Sequence, residues 1–354
     1  MTLFCPQSLI GVYGLQGQDL FMCIQAIWKS QAIYYPIHQL TLDVSATLSA
    51  FICSIGVDID PFYQSWTRAL LSDQIMILYN PTEPNMIKSC CPIAYRITTS
   101  GTTRQNGLGI HVDVPFQSYV HNLSSIHSIL FKNMLTRNMI LLSELTFDPH
   151  LIEIGLAWIT DSPLTFISKS DRSIPDKLFH AIITNEIDLL MMTPSLFLRF
   201  SLKQQCMILQ GKTMVTDIVL GGEPFPMQLL KYNVPSVQLW NIYGTTECSV
   251  WSTLEKIPWN ASVVYLGLPL GDTSLKVDED GQLWMGGPRR RTFIGNEVDP
   301  PDFRPTGDYV QQDEQGRLIF LGRKDDQLKR NGCRIHLSQI SNLISACPKV
   351  LAVE

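Results

Sequence analysis

No run of like charge interrupts this sequence, and Lys+Arg 27 against Asp+Glu 32 leaves a formal charge of −5. A nucleic-acid partner held by a phosphate-neutralising patch is therefore not expected. Every long apolar stretch is broken before about 18 residues, the length a membrane-crossing helix requires. Lys132 and Arg137, for example, break ILFKNMLTRNMILL. The opening MTLFCPQSLIGVYG has no basic n-region of the kind a signal peptide carries. Cysteines number nine, an odd count without regular spacing, which fits a reduced compartment better than a disulfide framework. These absences together predict a soluble cytoplasmic protein with no membrane partner.

Charged residues make up only 17% of the chain against 45% apolar, which excludes disorder and leaves ample material for a core. Common catalytic signatures are missing too. Cys333-x-x-His336 is a lone pair, Cys90 and Cys91 are adjacent, and the seven histidines are scattered, so no zinc site is expected. No Gly-x-Ser-x-Gly elbow occurs, and Gly11-x-x-Gly14-x-x-Gly17 has the wrong spacing for a dinucleotide fingerprint. Internal repeats and low-complexity tracts are absent. At roughly 150 residues per domain, 354 residues suggest two domains or one large one.

What is present is alternation. Short apolar runs at 9–13, 75–79, 93–98, 139–142, 164–168, 187–191 and 217–220 read as strands. Amphipathic stretches at 19–29, 47–55, 114–132 and 149–159 read as helices. Strands alternating with helices imply parallel sheets covered on both faces. After about residue 250 the texture changes to GDTSLKV, GQLWMGG and GRLIFLG, separated by Asp/Gly turns. That pattern predicts antiparallel β structure packed on an α/β core. From Gln327 only one strand and one helix are expected, too little to bury a core alone, so the chain looks cut short at its C-terminus.

Four segments could carry chemistry. Thr99-Ser100-Gly101-Thr102-Thr103 follows a predicted strand and offers hydroxyl and backbone donors to an anion, although no Gly-Lys-Ser/Thr of a P-loop follows. A Ser/Thr-rich surface turn is the plainer explanation of that segment by itself. Leu220-Gly221-Gly222-Glu223 also ends a strand, and its paired glycines let a flat ligand approach the backbone; taken alone, a simple strand-ending turn is the plainer explanation. Asn241-Ile242-Tyr243-Gly244-Thr245-Thr246-Glu247 gathers an aromatic face, hydroxyls and a carboxylate able to hold Mg²⁺. Finally come Thr306-Gly307-Asp308 and Gly322-Arg323-Lys324-Asp325, where a strand-end carboxylate suits ribose hydroxyls, or the second of these is only a charged turn.

In this order and register the four segments resemble the core motifs of the adenylate-forming superfamily: acyl-CoA synthetases, luciferases and the adenylation domains of nonribosomal peptide synthetases. LTFDPHLIEI, MMTPSLFLRF, NIYGTTECSVW and FLGRKDDQLKRNGCRI are similar to the adenylation region of the β-alanine-activating branch. The similarity runs from about Leu9 to the end. The resemblance implies a large N-terminal domain of two α/β subdomains and a β-barrel-like subdomain over 1–325, α/β to about 250 and β-rich over 251–325. Residues 326–354 would be the start of a small C-terminal α+β domain. It implies attack of a carboxylate on the α-phosphate of Mg·ATP to give an acyl adenylate. A phosphopantetheine thiol, on CoA or an acyl-carrier domain, would then displace AMP.

Carried over motif by motif, Thr99, Ser100, Gly101, Thr102 and Thr103 would face the phosphates. Gly221, Gly222 and Glu223 would border the adenine, with Tyr243 stacked on it, Asn241 beside it, and Gly244 and Thr245 completing the loop. Thr246 would touch the α-phosphate and Glu247 would hold Mg²⁺. Asp308 would take the ribose hydroxyls with Arg323 nearby, and Asp325 would be the hinge of the small domain. Asp148 matches the position where amino-acid-activating members set a carboxylate against the substrate amine, which implies an amino acid, with β-alanine as the guess from the family. The alternative for Asp148 is an ordinary helix cap before Pro149, and both can hold.

Two departures weigh on activity. After Thr103 the family continues Gly-x-Pro-Lys-Gly, whereas here Arg104-Gln105-Asn106-Gly107-Leu108-Gly109 carries no lysine. The family's catalytic lysine falls beyond Glu354 in register, and loss of such an electrostatic contact costs about 10²–10³-fold. The expectation is weak adenylation by a chain with these ends. A nucleotide-binding pseudoenzyme or scaffold module without ligase activity is the competing class.

Overall fold

A computed structural model describes residues 4–37, 48–55, 66–71, 73–79, 91–99, 110–132 and 134–323, with the backbone of 327–330 and 333–336. Leu9–Tyr13, the first strand, is apolar and buried on both faces, as a strand inside a covered parallel sheet must be. It pairs in parallel with Ile33–Pro36 on one side and Ala50–Ser54 on the other. These three sit in an eight-stranded sheet that Ile93–Thr99 and Ile110–Pro115 extend as a hairpin.

A second sheet of seven strands has Met139–Ile140, Leu189–Met192, Asp217–Gly221 and Gln238–Tyr243 running parallel at its centre. Thr253–Ile257 then turns back antiparallel on it. Helices Gly17–Lys29, Phe116–Leu130 and Pro149–Ile159 contribute to one apolar cluster shared with both sheets. Pro149–Ile159 is apolar nearly all round and buried from Pro149 through Ala157, the signature of a helix enclosed on every side. Its position matters because Asp148 stands at its N-terminus. Ser274–Val277, Gln282–Gly286, Phe303–Gln312 and Leu318–Arg323 form a four-stranded antiparallel sheet, as the turn-rich texture predicts. No helix among the described residues is long and apolar enough to cross a membrane.

Two helix expectations are corrected. Within 47–55, residues Ala50–Ser54 form a strand, with Phe51, Ile52 and Cys53 all buried. A short apolar run buried on both faces has no period that distinguishes strand from helix. Within 114–132, the helix starts only at Phe116, because Ile110–Pro115 is a strand and Pro115 holds φ −62°, ψ 146°. From Gln327, two strands stand where one was expected, because Gln327–Arg330 pairs antiparallel with Cys333–His336; the helix expected there lies outside the described residues.

Candidate active site

Parallel sheets bind ligands beyond the carboxyl ends of their strands. At that edge of the second sheet stand Ser143 to Asp148, Thr193, Gly221 to Glu223, and the loop from Tyr243 to Glu247. Glycine at two of these positions is required by space. A Cβ on Gly244 would lie 2.1 Å from the Val250 carbonyl, and one on Gly221 2.3 Å from Ile242 Cγ2. Gly222 adopts φ +81°, a conformation that side chains strain to reach.

The loop after Gln238–Tyr243 is tied down at both ends. Tyr243 donates its hydroxyl to Asp308 Oδ2 at 2.6 Å, and Arg323 Nη1 donates to Oδ1 of the same carboxylate at 2.7 Å. Asp308 and Arg323 face each other in strand register, so the antiparallel sheet presents its carboxylate directly to the tyrosine. Burial and the neighbouring Asp308 charge push the Tyr243 phenol well up. At the other end Thr246 Oγ1 donates to Asp148 Oδ1 at 3.2 Å. Thr245 and Thr246 are buried, Glu247 is half-buried, and the Glu247 carbonyl accepts from Thr292 Oγ1 at 2.5 Å.

The remaining expected residues are placed as follows. Asn241 donates its amide to the Tyr265 carbonyl at 2.8 Å, fixing the neighbouring segment. Glu223 accepts from Ser195 N and Oγ at 2.9 and 2.7 Å, so it braces the turn after Leu189–Met192. Thr99 donates to the Ile110 carbonyl at 3.2 Å, closing the base of its hairpin. Ser100, Gly101, Thr102, Thr103 and Asp325 lie outside the described residues. Asp148 makes no side-chain cap bond, and its own backbone is helical at φ −56°, ψ −20°. The capping explanation for Asp148 is thereby overturned: its carboxylate turns to Thr246 instead.

Several residues at this edge were given no role by the sequence. A small cavity of about 20 Å³, room for about one water molecule, is lined by Phe147, Pro149, Glu153, Met191, Ile242 and Trp251, among others. A second, of about 130 Å³, shares Ser143, Phe147, Met192 and Thr193 with it and is rimmed by Lys169, Arg172 and Arg199 together with Glu144, which pairs with Lys169 and Arg172. Glu153 accepts from Leu142 N at 2.9 Å and Ser143 Oγ at 2.5 Å. A lone acid inside the apolar stretch LIEIGLAW was the one signal in the sequence for it. Next to Asp148, His150 meets Tyr34 OH through Nε2 at 3.2 Å and the Phe147 carbonyl through Nδ1 at 2.8 Å.

These two buried groups make opposite pH predictions. Burial raises the Glu153 carboxyl to about 7, against the hydrogen bonds from Ser143 and Leu142. Its contribution is fully present below the ordinary value of 4.5 and is lost as pH rises through 7. Burial lowers the His150 imidazole to about 4, so its contribution is present above 6.5 and lost as pH falls toward 4. Between pH 4.5 and 6.5 the slopes oppose, each limited to about 1.4 kcal/mol per pH unit. Urea midpoints of the wild type should stay nearly flat from pH 5 to 6.5. They should rise with pH in Glu153→Gln and fall in His150→Gln. Parallel curves for all three proteins would refute the pairing.

The layered sheets, the loops at the carboxyl edge and the tyrosine–carboxylate contact across to the antiparallel sheet define an adenylate-forming enzyme fold. The crystal structure of IdnL1 has it, with a TM-score of 0.80 and 17% identity over 98% of this chain and 78% of that one. The family described as AMP-binding enzyme matches residues 57–289, and the chain belongs to it. The β-alanine-activating enzyme of Homo sapiens is 32% identical over 289 residues, which cover 75% of this chain and 26% of that protein. Its counterpart in Drosophila melanogaster is 30% identical over 92% of this chain and 36% of that protein. The chain thus spans about a quarter to a third of the length of these relatives.

Proposed function

We propose that the chain converts a small amino acid and Mg·ATP into an aminoacyl adenylate and pyrophosphate, and offers the adenylate to a phosphopantetheine thiol. The observation that carries this reading is the loop tied at one end to Asp308 through Tyr243 and at the other to Asp148 through Thr246. The groups proposed for sugar and for amine are thereby held a fixed distance apart, as one bound adenylate requires. Asp308 keeps acceptor capacity for ribose hydroxyls, since a carboxylate takes about four hydrogen bonds and Tyr243 and Arg323 each use one. Asp148 pairs with the ammonium, and Gly221 and Gly222 admit the flat base.

Mg²⁺ takes one or two carboxylates and completes its shell with phosphates and water. The half-buried Glu247 meets that demand alone, and the ion would neutralise charge developing on the phosphate oxygens. The thiol acceptor of the second step would be a phosphopantetheine brought by a carrier domain or CoA. Cys23, Cys53 and Cys248 are buried free thiols, in keeping with a reducing compartment such as the cytoplasm.

ATP–pyrophosphate exchange over a panel of amino and fatty acids tests the reading. Exchange with small amino acids is the expected result. ATP binding without exchange would make the chain a nucleotide-binding module instead, consistent with Arg104 standing where the family has a lysine-bearing loop. Neither binding nor exchange would end the proposal.

A further inference from the structure

Three tyrosines from separate elements converge on the first turn of helix Pro149–Ile159. Tyr34 on strand Ile33–Pro36 and Tyr95 on strand Ile93–Thr99 are register partners, so their side chains leave the same face of the first sheet. Tyr119 comes from helix Phe116–Leu130 and sets its ring edge-on to that of Tyr95, with centroids 5.9 Å apart. All three are buried. Two of the phenol protons are spent. Tyr119 donates to the Leu151 carbonyl at 2.8 Å. His150 Nδ1 lies against the Phe147 carbonyl, which can only accept, so that nitrogen carries the ring proton and Nε2 accepts from Tyr34 at 3.2 Å. The Tyr95 hydroxyl is equally enclosed, yet it meets no hydrogen-bond partner among the described residues. A buried hydroxyl without a partner is costly and calls for an explanation. Burial pushes the Tyr95 phenol well up, and the charge of Asp148, the carboxylate at this end of the helix, pushes it further.

From this arrangement we infer that Tyr95 is a positioning residue for amine recognition: its hydroxyl closes on the Asp148 carboxylate, directly or through one water, when the substrate ammonium binds. The inference rests on the amino-acid-activating reading above and deepens it by naming what aims the amine-binding group. Thr246 donates to Oδ1 of Asp148 from the loop after Gln238–Tyr243, and Tyr95 supplies a second donor from the first sheet. Two donors on different elements hold the plane of the carboxylate, so the ammonium meets a partner already oriented. Because the Tyr95 hydroxyl serves no bond within the described fold, this contact contributes to binding and not to folding.

The test uses binding, so that it does not depend on turnover. Conjugates of 5′-sulfamoyladenosine with β-alanine and with propionate are titrated into the intact chain by calorimetry, with sulfamoyladenosine alone as reference. The wild type should bind the β-alanyl conjugate more tightly than the propionyl one. Tyr95→Phe keeps the ring and removes only the hydroxyl, so its urea midpoint should be unchanged or higher. In that variant the preference for the β-alanyl conjugate should fall about tenfold, as for a lost hydrogen bond to a charged group. Sulfamoyladenosine and the propionyl conjugate should bind as before. In an Asp148→Asn background the same substitution should leave the preference where it is, since residues acting through one contact are not additive. An unaltered preference in Tyr95→Phe, equal losses for all three ligands, or a loss that persists in Asp148→Asn would overturn the positioning role alone. If the wild type binds sulfamoyladenosine but ranks the two conjugates alike, the amine reading falls and takes this one with it.

Discussion

Replacing Glu247 by glutamine should abolish the Mg²⁺ dependence of ATP binding and lower adenylate formation by about 10²–10³-fold. The substitution keeps the side-chain shape and removes one negative charge. The Glu247 carbonyl is held by Thr292 and the short helical turn Thr246–Cys248 fixes the chain on either side, so the loop should survive. No group of three His, Cys, Asp or Glu able to hold a metal occurs among the described residues. Mg²⁺ relies on its substrate's phosphates for much of its shell. Because a single carboxylate is proposed to carry the protein's share, its loss should be felt in full. Calorimetric titration of ATP with and without Mg²⁺ decides the matter. A glutamine variant that still binds ATP more tightly with the metal would remove Glu247 from the assignment.

Period and turn chemistry were enough to locate the second sheet. Asp217–Gly221 and Pro149–Ile159 lie within a residue of their predicted spans, because each is bounded by a glycine or proline that breaks the pattern sharply. The first sheet was harder. Ile33–Pro36 and Ala50–Ser54 are four and five residues long and buried almost throughout, so they show neither alternation nor a polar face. Their identity as strands depends on pairing with Leu9–Tyr13, a contact that no local pattern encodes.

The site divided in the same way. Gly221, Gly222, Tyr243, Thr246, Glu247 and Asp308 could be picked out because strand-end loops rich in glycine and hydroxyls are few. Their mutual geometry could not. Nothing in the sequence says that Tyr243 reaches Asp308 across 65 positions, or that Thr246 meets Asp148 across 98.

The second large effect concerns Asp148. In Asp148→Asn the preference for β-alanine over propionate should collapse, with the loss falling on KM for the amino acid. Removing one partner of a buried, hydrogen-bonded charge pair costs about 2–5 kcal/mol, so the selectivity ratio should drop by at least tenfold. The carboxylate is 2% exposed, and it is spent on no cap of its own helix, since Pro149 takes the first helical position and no side-chain cap bond forms. Its oxygen Oδ1 accepts instead from the hydroxyl of Thr246, in the loop proposed to touch phosphate. A buried carboxylate gains most from a cation, and an ammonium is the cation an amino acid brings. ATP binding in the variant should stay at the wild-type level, which separates loss of the amine contact from collapse of the loop. Equal losses for β-alanine and propionate, with ATP binding weakened as well, would mean that Asp148 only positions Thr246. The amine would then need another partner among the residues that line the cavity.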